Sequence, residues 1–191
     1  METNIARSTN VKNHGRLTVE TAKHLQDLLK DKGYDVLYDH GDTSNGNVGT
    51  IVSWYGDGKK PEQETELSQL DLAIVQPSSN KVIALIEIEE TNDRPKTYLG
   101  DVFCTLVGDQ ISFREKPLSV GRWTTLMIVG FSKETHVKRN QHILAKVERI
   151  KPALSSKNSS IGKVIIKTFS DEAKLPALLL YELDKVFKRG L

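Results

Sequence analysis

The sequence predicts an α/β fold with a mixed central β-sheet flanked by helices. Three observations lead there. Segments with helical spacing of apolar residues alternate with short runs rich in Val, Ile and aromatic residues. Two apolar runs between Leu70 and Glu89 are separated only by turn formers, as in an antiparallel hairpin. The 191 residues, 38% hydrophobic and 27% charged, are enough for one ordinary core. No internal repeat or linker divides them.

Each element has its own signal. Residues 1–16 are polar and read as a flexible arm, so a single domain is expected over 17–191. Thr18 is expected to cap a helix with Glu20 in its first turn. Ala22, Leu25, Leu28 and Leu29 form its apolar stripe, and Gly33 ends it. Tyr34 to Asp39 reads as a strand, 41–49 as a loop, Thr50 to Tyr55 as a strand and 56–66 as a second loop. After the hairpin, Pro95 opens a helix over 94–107 with Tyr98, Val102, Phe103 and Leu106 inward. Trp123 to Phe131 is a strand, Glu134 to Ile150 a basic amphipathic helix, and Ile161 to Phe169 a strand. Leu175 to Lys188 is a last helix opened by Pro176, whose apolar residues suit either the core or a dimer interface.

Composition excludes several classes. No run approaches the roughly 20 apolar residues of a membrane span. Met1 to Lys12 lacks the apolar stretch of a signal peptide, so a cytoplasmic location is expected. The lone Cys104 rules out an internal disulfide and any multi-cysteine zinc site. There is no Walker loop, dinucleotide fingerprint or nucleophile elbow. The five histidines form no metal-ligand spacing and read as surface residues.

The hairpin is where chemistry concentrates. Asp71 stands on its first strand, Glu87 and Glu89 on its second. Ionised carboxylates in such apolar strands are costly unless paired, and a cation would favour three together. Glu87 and Glu89 share a strand face. A three-residue loop of Ser78, Ser79 and Asn80 would pair Pro77 with Lys81 and bring Asp71 opposite Glu87. A four-residue loop would send Asp71 to the other face. Strand-end acids paired with surface Lys or Arg are the structural alternative.

Charge is unevenly spread although the net is only +2. Residues 57–101 carry ten acidic against five basic side chains, and residues 131–167 nine basic against two acidic. An acidic site beside a basic region suits a metal-dependent enzyme acting on a polyanion. Lys138, Arg139, Lys146 and Arg149 are the candidate phosphate contacts from this clustering, unless they simply coat a solvated helix.

An Asp on one strand, Glu-x-Glu on the next, then a helix and a further strand resembles the PD-(D/E)XK nuclease superfamily, over roughly residues 18–131. The resemblance implies a restriction-endonuclease-like core in which Asp71 and Glu87 bind Mg²⁺ or Mn²⁺ with the carbonyl of Ile88. Glu20 occupies the place of an accessory acid on the first helix. Leu70 replaces the motif's Pro. Glu89 stands at the lysine position, as in some type II restriction enzymes, and Lys96 is a substitute source of positive charge. Glu89 would accept a proton from the attacking water or help to hold a second metal. The implied activity is metal-dependent endonucleolytic cleavage of DNA by a homodimer, one active site per strand. A junction-resolving or repair nuclease of the same fold is one alternative, and a non-catalytic DNA-binding module is the other.

Overall fold

The structure is a computed structural model that describes residues 15–56, 60–90, 95–108, 110–131, 145–146, 149 and 161–188. Among the described residues nine strands fall in two sheets. The first runs β1 (Asp35–Tyr38), β4 (Leu72–Gln76), β5 (Lys81–Glu89), β8 (Thr125–Phe131) and β9 (Lys163–Phe169). Pairing is antiparallel from β1 to β5 and parallel from β5 to β9. The second sheet is antiparallel throughout, in the order β3 (Glu66–Leu70), β2 (Ile51–Trp54), β6 (Gln110–Phe113) and β7 (Lys116–Leu118). The expected mixed sheet with helices is therefore present. The second sheet is additional: of its strands only β2 was expected, and β3, β6 and β7 are too short to show a period in the sequence.

Among the described residues, three full helices cover the first sheet. α1 (Arg16–Leu29) and α3 (Leu175–Phe187) lie on one face, where Leu25, Leu29, Leu179 and Leu183 meet Ile74, Ile86, Met127 and Ile165. α2 (Pro95–Val107) lies on the other. There Tyr98, Val102 and Leu106 meet Leu85, Leu126 and Ile128, beside Ile51, Leu70 and Ile111 of the second sheet. Alternation along β5 sends Ile86 and Ile88 toward α1 and α3. Glu87 and Glu89 therefore project to the α2 side.

Several local expectations change. α1 starts earlier than its sequence suggests: Gly15 is its N-cap and Thr18 is buried within the first turn. Gly33 does end the segment, in the left-handed conformation after a short 3-10 turn. Leu28 and Phe103 are exposed rather than inward, since neither falls on its helix's packed arc. Trp123 precedes its strand and is 43% exposed. Most apolar residues of α3 pack on the first sheet, which accounts for them without a dimer. Of the basic helix expected over 134–150, Ala145, Lys146 and Arg149 are helical and exposed, while Lys138 and Arg139 lie outside the described residues.

The hairpin reaches its expected pairing by a different route. The turn holds four residues, Pro77 to Asn80, with Gln76 opposite Lys81, and Asn80 takes the left-handed conformation at φ 55. Left alone, that register would place Asp71 on the wrong face. A bulge at Ile83 shifts it by one residue, so Ile74 pairs with Ala84 and Leu72 with Ile86. One further step along puts Asp71 across from Glu87.

Candidate metal centre

Asp71 is the single residue between β3 and β4, where the chain leaves one sheet and enters the other. Each strand of the hairpin holds the other's acid. The N–H of Asp71 donates to Glu87 Oε2 at 3.2 Å, and the N–H of Ile88 donates to Asp71 Oδ2 at 2.6 Å. Two backbone donors thus fix the two carboxylates side by side. Asp71 and Glu87 thus touch through backbone N–H groups, while Glu87 and Glu89 fall outside the group of ligand atoms that, among the described residues, lie close enough together for one cation. Ile88 takes part through its N–H.

A third strand completes the row. β1 pairs with β4 so that Tyr38 faces Leu72, and the next residue, Asp39, donates its N–H to the Asp71 carbonyl at 3.1 Å. Asp39, just after β1, Asp71, just before β4, and Glu87 on β5 therefore sit abreast. His40 follows, its Nδ1 against Asp39 Oδ1. One ligand atom from each of Asp39, His40 and Asp71 lies within 4.8 Å of the others, a spacing one cation could close. His40 is thus part-buried, not the surface residue its spacing implied. Gly15 explains why the ring is held: a β-carbon there would overlap the His40 imidazole, so the N-terminus of α1 packs directly on it.

The electrostatics are those of crowded acids. Burial pushes the Asp71 carboxyl up to about 7, with the neighbouring Asp39 adding to it and the Ile88 N–H opposing it. Burial also raises Glu87 well above the usual carboxylate range, helped by the charges of Asp71 and Asp101. Glu89 is raised by burial alone. Asp101 on α2 reaches about 7 through burial and the charge of Glu89. A divalent cation would reverse this penalty, and the donors present suit one. Carboxylate oxygens suit Mg²⁺ or Mn²⁺, and the imidazole favours a transition ion over Mg²⁺.

Other sequence candidates fall elsewhere. Glu20 is exposed and paired with Arg16 at 2.8 Å, and Arg16 also reaches Glu172 at 2.6 Å. Its carboxylate thus serves a surface ion-pair network. Lys96 falls in the first turn of α2, with its side chain outside the described residues. Sequence reading missed Asp39, His40 and Asp101. Asp39 had a usable signal: it follows Leu37 by two residues and so shares its strand face. His40 had none, because its role depends on how α1 packs. No protein-family model, curated protein or solved structure matches this chain.

Proposed function

We propose that the protein is a metal-dependent DNA endonuclease, most similar in kind to a type II restriction enzyme. The observation that carries this reading is the clasp between Asp71 and Glu87, formed across the two strands that the motif requires. The succession of antiparallel hairpin, α2 and parallel strand β8 supports it. Asp71, Glu87, Asp39 and His40 would hold the cation, which when bound would acidify a water and offset phosphate charge. Glu89, two residues along the same face from Glu87, is the group to accept a proton from that water, because burial raises its basicity. Asp101 on α2, held protonated more tightly by its burial and by the charge of Glu89, would ionise more readily once a cation enters. DNA and a second copy of the chain are the proposed partners, with Lys146 and Arg149 among the phosphate contacts.

Glu89 also supports a second reading, a DNA-binding module that has lost catalysis, since the resemblance implies lysine there. One experiment separates them. Linear plasmid and phage DNA, together with a branched junction, are incubated with Mg²⁺, Mn²⁺ or EDTA. The expected result is discrete metal-dependent fragments from the natural protein, reduced roughly 10²–10³-fold by Asp71→Ala or Glu87→Ala while folding is kept. Cleavage confined to the junction would redirect the reading to a resolving nuclease. Cleavage only after Glu89→Lys would establish the silent module.

A further inference from the structure

A cavity lies at the turn end of β4 and β5, the opposite end of those strands from Asp71 and Glu87. Its volume is about 310 Å³, the lower end of the range for small-ligand sites. Lys32, Lys81 and Lys188 line it. Asp184 is the single acid of its lining and lies 3.9 Å from Lys32. Among the described residues, Lys81 and Lys188 have no acidic partner. Half of the remaining wall is aromatic, Tyr34, Trp123 and Phe187, and the rest is Gln76, Ile83 and Val186. Tyr34 and Phe187 stack with ring centroids 4.6 Å apart, and Lys81 Nζ stands 4.5 Å from the centre of the Trp123 ring.

Trp123 is presented by a fastened segment. The N–H of Val82 donates to the Ser119 carbonyl at 2.8 Å, and the N–H of Ser119 donates to the Asn80 carbonyl at 2.9 Å. The Thr124 hydroxyl donates to the Val82 carbonyl at 2.8 Å and accepts from the Gly121 N–H at 3.0 Å. The wall is therefore built before any ligand arrives, which lowers the ordering cost of binding.

We propose that this cavity binds a nucleotide, with the base against Trp123 and the phosphate among Lys81, Lys188 and Lys32. A neutral ring would leave Lys81 and Lys188 without a counter-charge. A bare phosphate would leave the aromatic wall in water. A planar ring joined to an anion satisfies both, since a base stacks on an aromatic side chain while its phosphate meets the lysines. A duplex is too large for the volume. The same chemistry comes from a free mononucleotide or from the 5′-phosphorylated end of a strand. This inference is independent of the proposed nuclease activity.

The two tryptophans supply the readout. Trp54 is 2% exposed and Trp123 43%, so quenching by a ligand reports Trp123. Adenosine monophosphate titrated into the full chain with EDTA should quench fluorescence saturably. Adenosine and inorganic phosphate should bind at least tenfold more weakly. Lys81→Ala and Lys188→Ala should each lose about tenfold, and calorimetry should find the same for Trp123→Leu. Asp71→Ala should bind normally, which keeps the result separate from cleavage. A short oligonucleotide with and without a 5′-phosphate then tells a strand end from a free nucleotide. Absence of saturable binding of both ligands at millimolar concentration overturns the proposal. So does binding indifferent to all three cavity substitutions in variants whose circular dichroism is native.

Discussion

Asp71, Glu87, Glu89 and Asp101 bring four carboxylates to one side of the first sheet, each harder to ionise than a solvated acid. The stability consequence has a definite sign. Asp101 is raised from 3.8 to about 7, so the folded protein holds its proton more tightly than the unfolded chain. Stability of the metal-free protein therefore falls as pH rises from about 4 to about 7, and the whole penalty persists above that. Among the described residues Asp101 Oδ2 has no hydrogen-bond partner to lose. Asp101→Asn in EDTA should gain roughly 1–2 kcal/mol at pH 8, a figure that allows for partial solvation, and close to nothing at pH 4. Urea denaturation at the two pH values measures this. His40 offers a separate test. An imidazole ligand matters more to Mn²⁺ than to Mg²⁺, so His40→Ala should weaken Mn²⁺ binding about tenfold by calorimetry and leave Mg²⁺ nearly unchanged.

α2 approaches the sheet at Gly130, the partner of Glu89 on β8. A β-carbon at Gly130 would overlap the Tyr98 ring, and Tyr98 is buried. Gly130→Ala should cost about 1–3 kcal/mol through overpacking. Thermal melts would show it, with Tyr98→Leu recovering part in the double variant. Elements such as α1, α2, α3 and the long strands were legible because each carries a full period of apolar residues. The hairpin was legible in kind but not in mechanism. Its acids do meet, yet they meet through a four-residue turn corrected by a bulge at Ile83. Bulges leave no period in the sequence, since Val82, Ile83 and Ala84 are apolar on either register. Strands β3, β6 and β7 escaped notice for a related reason: each is only three to five residues long, too short to repeat a period-2 pattern, and only β7 also carries a Pro.

At the scale of the whole molecule, Arg114 ties the second sheet to the loop that follows Asp39 and His40 of the candidate site. This residue turns β6 into β7 in a left-handed conformation, φ 48. Its guanidinium donates to the carbonyls of Thr43 at 2.9 Å, Asn45 at 2.7 Å and Val48. The loop it grips begins next to Asp39 and His40, and it is also pinned by Gly49 N–H to the Tyr38 carbonyl at 2.9 Å. Hydrogen bonds from a charged donor are stronger than neutral ones but here are partly exposed. Arg114→Ala should cost roughly 1–2 kcal/mol and should speed amide exchange over residues 41–49, both measurable without any assay of activity. Such long-range ties were invisible in the sequence, where Arg114 is one basic residue in a polar stretch.

The position of Asp71 has a mechanical corollary. With Leu70 ending one sheet and Leu72 beginning the other, the junction between them is a single residue with no slack. A cation clamped at that point would act as a rivet through a seam. Loading it would stiffen the outer sheet as well as the acids beside it, and a load on the outer sheet would be felt first at the rivet.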